Sequence, residues 1–233
     1  PEEQAYIKND VLVLKEALEI MFNEKHDSLT IGSCCLNEYK TIMTKSLIER
    51  LYPNIAEYTV NVPLEFKNAD EYVRKSYKGG WCYLKKGCEN KIYNNGTTAD
   101  VNSLYSSVMH SESGNYYPVG LPTFWSGNYI PEIAKEKYYF IRIKTRFYLK
   151  KGFLPCIQVK NTYRYKSTEW LETSDFYDKK TNKYYKKYLD INGNEQNTQV
   201  ILTLTMIDFE LIKEHYNLVD FEILDGCYFD KEI

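Results

Sequence analysis

Asp100 and Tyr105 are the residues on which chemistry is most readily built. The stretch Thr98-Ala99-Asp100-Val101-Asn102-Ser103-Leu104-Tyr105-Ser106-Ser107-Val108-Met109 reads as the end of a β segment, then a turn carrying Ser-Leu-Tyr into a helix. An aspartate at a strand end, beside a backbone carbonyl, offers the hard oxygen donors that two-metal phosphoryl transfer needs, with phosphate oxygens completing the shell. A tyrosine five residues on can lie under the sugar of a bound nucleotide. Tyr6 and Asp10 form a second candidate, one helical turn apart and therefore neighbours on a helix face. A third is Tyr77-Lys78-Gly79-Gly80-Trp81, whose paired glycines permit positive φ and close backbone approach, either for a tight turn or for a ligand strand.

The elements that must hold these residues follow from periodicity. Ile7, Val11, Leu14, Leu18 and Met21 recur at spacings of four and three, so the amino-terminal segment is a helix with one apolar stripe. Pro1 suits its first turn, and Glu2 and Glu3 complement the positive end of its dipole. Asp10 falls on the shoulder of the stripe, where a carboxylate is partly buried if the helix packs closely there; a plain amphipathic helix, which composition favours, leaves it in solvent. A second helix is expected over Lys40–Leu51, ended by Pro53. From Tyr139 to Lys150 the residues alternate, with Tyr139, Ile141, Ile143, Thr145, Phe147 and Leu149 on one face and a largely basic set, Arg142, Lys144, Arg146 and Lys150 among it, on the other. The Asp190–Asn194 stretch resembles a calcium loop but has Glu195 where glycine belongs and Ile201 where the closing glutamate belongs, so it reads as a hairpin turn leading into a strand from Gln199 to Met206. Asp208 is expected to cap a short helix through His215, and Phe221–Phe229 to be extended.

Composition narrows the class. With 43% hydrophobic and 27% charged residues, the 233-residue chain can bury a core and is not a disordered polymer. Its longest apolar runs, such as Val200–Leu204, are too short to cross a bilayer. The start, Pro1-Glu2-Glu3, shows no secretory signal, so a cytoplasmic location is expected. Six cysteines without CxxC pairs or suitably spaced histidines are expected to be free thiols rather than zinc ligands or disulfides. Asn95-Gly96-Thr97 is read as a turn, and His26, His110 and His215, being scattered, receive no role. The 23 tyrosines are in part what an AT-rich coding sequence produces. Net charge is −2, yet Ala134–Lys187 holds 15 Lys and Arg against 5 Asp and Glu, interleaved with tyrosines. Cations beside ring faces suit a nucleic-acid strand, with Lys160, Arg164 and Lys166 the leading candidates; a solvated basic face is the other reading.

Asp100-Val101-Asn102-Ser103-Leu104-Tyr105 resembles motif A of the family B DNA polymerases, in the form used by protein-primed phage enzymes. Tyr6-Ile7-Lys8-Asn9-Asp10 is similar to that family's third exonuclease motif, a tyrosine, three residues and an aspartate. Tyr77-Lys78-Gly79-Gly80 resembles its Tyr-x-Gly-Gly motif between exonuclease and polymerase domains. Gly152-Phe153-Leu154-Pro155 through Leu171, and Asp208 through Tyr216, are similar to the first terminal-protein-region insertion. Order and approximate spacing hold over almost the whole chain. The resemblance implies an α+β fold, a partial family B palm with an inserted mixed α/β terminal-protein-region subdomain. Residues 1–25 would be the closing helix of the 3′–5′ exonuclease domain, 26–111 a partial palm and 112–233 the insertion. Asp100 and the Val101 carbonyl would bind Mg²⁺ or Mn²⁺, and Tyr105, beside the incoming dNTP, would exclude a 2′-hydroxyl. Asp10 would bind metal in the proofreading site with Tyr6 orienting the attacking water, and Tyr77, Gly79 and Gly80 would hold the template strand. Ser106 departs from the family, which usually has proline there.

Several family motifs are missing: the Asp-Thr-Asp of the polymerase site, the Lys-x-x-x-Asn-Ser-x-Tyr-Gly helix that grips the triphosphate, and the exonuclease Asp-x-Glu pair. Asp208-Phe209-Glu210 and Asp220-Phe221-Glu222 match the last pattern but lie at the wrong end of the chain. The expectation is therefore an internal fragment of a protein-primed polymerase, inactive alone, whose partners in the whole protein are primer-template and single-stranded DNA, dNTP and a terminal priming protein. A non-catalytic DNA- or terminal-protein-binding module, or an inactive mobile-element relic, is the alternative.

Overall fold

The computed structural model describes residues 2–85, 87–159 and 169–233. Lys160, Arg164 and Lys166 lie outside the described residues. The chain divides into two compact units, Pro1–Pro53 and Asn54–Ile233.

The first unit is helical: α1 (Glu2–Asn23), α2 (Ile31–Ile42) and α3 (Lys45–Leu51). The helix expected over Lys40–Leu51 is two helices. Met43 is extended and Thr44 accepts the Leu47 amide, so the backbone leaves one helix and is capped into the next. Thr30 caps α2 in the same way through the Ser33 amide. The stripe on α1 exists, but Ile7, Val11, Leu14 and Leu18 are all exposed. Asp10, on the shoulder of that stripe, is exposed, as a plain amphipathic helix leaves it.

The second unit is built on one antiparallel sheet. In chain order it holds α4 (Ala69–Arg74), α5 (Leu104–Met109), β1 (Tyr117–Ser126), α6 (Glu132–Glu136), β2 (Tyr138–Leu149), β3 (Ile157–Val159), β4 (Glu169–Leu171), β5 (Phe176–Asp178), β6 (Lys183–Tyr185), β7 (Lys187–Leu189), β8 (Glu195–Asn197), β9 (Val200–Thr205), α7 (Met206–His215) and β10 (Tyr216–Glu232). The main sheet runs β1-β10-β2-β9, and β3–β4, β5–β6 and β7–β8 are small hairpins. The turn read at Asp190–Asn194 closes β7–β8, its Asp190 carboxylate accepting the Asn192 and Asn194 amides.

Both faces of the sheet are covered. On one, Ile141, Ile143 and Phe147 of β2 and Leu202 and Leu204 of β9 pack with Phe209 and Ile212 of α7 and with Ile157 and Leu171 of the β3–β4 hairpin. On the other, Phe124, Phe140, Cys227 and Phe229 pack under Tyr72 and Ala69 of α4 and under Ile55, Tyr58 and Phe66 from the strap that precedes it. The alternation read along β2 is correct, but its second face is not a free basic surface. Phe140 and Arg142 are buried beneath the strap, Arg142 pairs with Asp225 and Glu65, and Arg146 pairs with Asp220. A guanidinium in the middle of a sheet must find carboxylates or stay in water, and here it finds them.

Two local details fix the geometry. Gly226 lies where Trp125 and the Phe140 carbonyl approach so closely that a Cβ would stand 2.2 Å from the indole. The Tyr216 phenol, at the junction of α7 and β10, accepts the Cys156 and Ile157 amides and donates to the Leu171 carbonyl, bolting the β3–β4 hairpin to the sheet. The cap of α7 is Thr205, whose hydroxyl accepts the Asp208 amide, so Asp208 occupies the third helical position and not the cap itself. All six cysteines are free.

Candidate functional site

Asp100 does not end a strand. Residues 91–103 form no regular structure, because a strand needs a neighbour to take its backbone hydrogen bonds and none of the described residues supplies one. The turn and helix that follow are as expected: Ser103 takes a left-handed conformation and α5 begins at Leu104. Asp100, Val101 and Tyr105 are all in solvent, Tyr105 being 75% exposed on the first turn of α5. Tyr6, 70% exposed, and Asp10 lie on α1 of the other unit. Among the described residues no group of three His, Cys, Asp or Glu side chains could hold a metal ion. The donors are of the right kind for Mg²⁺, a carboxylate and an adjacent carbonyl, but Asp100 and Asp10 each supply one carboxylate to a shell that needs more.

The Tyr77–Trp81 segment is better defined. Neither Gly79 nor Gly80 has positive φ, and residues 77–85 form neither a turn nor a strand. The Gly79 amide donates to Gln158 Oε1 at 3.2 Å. Lys78 pairs with Asp208 at 3.4 Å, and Trp81 Nε1 donates to the Pro155 carbonyl at 2.9 Å. Tyr77 itself is exposed. A Cβ at Gly80 would meet nothing, so that stretch of backbone is open to approach. Three tethers thus attach the glycine segment to β3, to the residues before it and to α7.

Two clefts flank this segment. One, about 630 Å³, is lined by Phe66, Arg74, Lys75, Tyr77, Lys78, Arg142 and Gln158 and by the outer edge of β9. Gln158 is buried, and its Nε2 has no hydrogen-bond partner. The other, about 400 Å³, is lined by Lys78, Gly79, Trp81, Leu154, Pro155, Cys156, Trp170, Asp208, Leu211 and His215. Burial pushes the Cys156 thiol up to about 11, so it is a neutral part of that wall.

Beneath the first cleft lies a buried polar network absent from the sequence reading. Asp225, its side chain 6% exposed, accepts the Tyr72 hydroxyl at 2.8 Å and Arg142 Nε at 3.0 Å, and Arg142 Nη2 reaches Glu65 at 2.9 Å. Burial opposes the Arg142 charge, but hydrogen bonding and attraction from Asp225, then Glu65, hold its pKa above the usual arginine value. Burial, with Cys227 and the Asp225 charge, raises the Tyr72 phenol far out of the titrating range. No local motif could reveal this cluster, since Tyr72 and Asp225 are 153 residues apart.

Comparison with known proteins defines the class. A family model described as DNA polymerase type B, organellar and viral, matches residues 1–233. The chain is 34% identical over 231 residues to the DNA polymerase of Bacillus phage Nf and 33% identical to that of Bacillus phage phi29, in each case over 98% of this chain and 34% of the relative. A solved structure of phi29 DNA polymerase complexed with primer-template DNA and incoming nucleotide substrates superposes with a TM-score of 0.71 at 31% identity, covering all of this chain and 34% of that one. The same polymerase complexed with single-stranded DNA gives 0.68. The chain therefore belongs to the organellar and viral type B DNA polymerases, as its motifs implied, and it spans about a third of the length of these relatives. Among the described residues no helix is long and apolar enough to cross a membrane.

Proposed function

We propose that this chain is part of a protein-primed, DNA-directed DNA polymerase with 3′–5′ proofreading activity, and that it contributes one carboxylate to each of the two metal sites. The observation that carries the reading is the end-to-end match to phage polymerases, one of them solved with primer-template DNA and incoming nucleotides, with the four motifs in family order. In the polymerase site Asp100 and the Val101 carbonyl would hold Mg²⁺ or Mn²⁺, which stabilises charge on the attacking and leaving oxygens of nucleotidyl transfer. Tyr105, on the first turn of α5, would close off the space beside the sugar C2′. Asp10 and Tyr6, one turn apart on α1, would serve proofreading.

The Tyr77–Gly80 backbone, fixed by Gln158, Pro155 and Asp208, would lie along the template strand. Residues 1–25 would close the exonuclease domain, 26–111 would be palm, and 112–233 the insertion that meets DNA or the priming protein, with Lys160, Arg164 and Lys166 among its contacts. The test is Asp100→Ala in the complete enzyme. Synthesis is expected to be lost while primer-template affinity stays within a few-fold of the parent; retained synthesis would remove Asp100 from the metal site. The chain alone is expected to extend no primer in Mg²⁺, because neither site has its second carboxylate.

A further inference from the structure

The smaller cleft beside the glycine segment has the chemistry of a base-stacking site. Trp81 and Trp170 both line it, in tilted contact with ring centres 6.5 Å apart and planes inclined by 58°. The outer ring of Tyr83 backs Trp81 at 5.5 Å, nearly parallel to it. The Trp81 indole is 49% exposed and yet held in orientation by its hydrogen bond to Pro155. A rigid, backed, half-exposed tryptophan is an ordered apolar face turned to solvent, an arrangement that marks binding surfaces. The rim carries one donor and one acceptor, Lys78 and Asp208, while Gly79 adds backbone without a side chain.

We infer that this cleft takes a single unpaired nucleobase from the strand that runs over Tyr77–Gly80. The ligand is a planar ring system with a polar edge, which the tryptophans and the Lys78–Asp208 rim match in kind. The volume, about 400 Å³, suits one nucleoside and lies within the range of small-ligand pockets, about 300–1,000 Å³. A proline-rich peptide also stacks on tryptophan, but it needs an extended run of aromatic rings, whereas this cleft offers two tryptophans beside the Lys78–Asp208 ion pair. The inference rests on the reading of Tyr77–Gly80 as a template contact, and adds to it a residue-level site in which Trp81 and Trp170 read the presence of a base.

The chain has three tryptophans, and Trp125 is buried in the sheet core, so quenching by a ligand stacked in this cleft reports chiefly on Trp81 and Trp170. A labelled thymidine oligonucleotide and an abasic phosphodiester of equal length are titrated at low salt, following label anisotropy and tryptophan emission together. Both oligomers are expected to bind through their phosphates, only the thymidine oligomer to quench tryptophan, and Trp81→Leu to weaken thymidine binding about tenfold, the scale of one base–aromatic stack, without changing abasic binding. Trp81→Phe, which keeps a smaller ring, is expected to fall between, and the comparison of two ligands on the unaltered chain needs no variant to fold. Equal affinity for both oligomers with no quench overturns the inference while leaving DNA binding intact. Absence of any anisotropy change defeats the template-contact reading itself. Quenching by a polyproline peptide but not by the oligonucleotide overturns the inference in favour of a protein ligand.

Discussion

Replacing Asp225 by alanine should cost far more than its single carboxylate suggests. The change leaves the Arg142 guanidinium buried with one remaining partner, Glu65, whose side chain is 61% exposed, and strips the buried Tyr72 hydroxyl of its acceptor. Breaking a buried ion pair from one side costs about 3–5 kcal/mol, because the remaining charge is uncompensated. Glu65→Ala removes a solvent-screened partner and should cost at most about 1 kcal/mol. Removing the whole polar set with Tyr72→Phe, Arg142→Met and Asp225→Leu should restore stability to within about 2 kcal/mol of the parent, since hydrophobic replacements of similar volume are often neutral. Urea unfolding followed by tryptophan emission measures all three. With a slope of about 2 kcal/mol per molar, Asp225→Ala should lower the midpoint by about 1.5–2.5 M and Glu65→Ala by under about 0.5 M. Equal, small shifts for the two single variants would refute the claim that the network clamps the strap to the sheet.

Other perturbations test other joints. Tyr216→Phe leaves the Cys156 and Ile157 amides and the Leu171 carbonyl without their partner; a loss of about 2–4 kcal/mol is expected, with amide exchange accelerated in β3 and β4 ahead of β2. Gly226→Ala should drive Trp125 from its place, costing about 1–3 kcal/mol and shifting indole emission to the red. The Asp190 carboxyl is held below its ordinary pKa of 3.8 by the Asn194 amide, Gln196 and the Asn192 amide, and Asp178 by the Lys180 amide and Thr181. A depressed folded-state pKa stabilises above the ordinary value and is lost as pH falls through the depressed one. The amide resonances of Asn192, Asn194 and Lys180 should therefore titrate with midpoints below 3.8; midpoints at or above it would contradict the turn geometry.

Much of the architecture is written in local pattern. The β2 strand follows from strict alternation, the β7–β8 hairpin from Asp190 and the glycine behind it, and α7 was read from Asp208 to His215, although its cap is Thr205. What escaped is long-range. The free basic face expected along β2 is partly neutralised by Asp225, Asp220 and Glu65, and nothing near Arg142 in the chain announces those partners. The Lys40–Leu51 helix failed because Thr44 competes for backbone as a cap, a preference that hydrophobic spacing does not register. The β segment before Asp100 failed because extended propensity alone cannot make a strand without a neighbour. The glycine pair was legible as a motif, but its place depends on tethers of the segment to Gln158, Pro155 and Asp208, all more than 70 residues away.

The place of β10 in the sheet has a consequence for synthesis. Of the four strands in this sheet it is the last to leave the ribosome, yet it lies second in the order β1-β10-β2-β9, with β1 and β2 hydrogen-bonded to its two edges. Until it emerges, β1 has no partner in this sheet, and Tyr72 of α4 lacks Asp225 to close upon. Assembly of this unit is consequently a late, long-range event, the class of topology that folds slowly and exposes strand edges to neighbouring nascent chains. A cut just before Tyr216 should therefore abolish the fold of the entire second unit instead of trimming one edge, seen as collapse of its amide-proton dispersion.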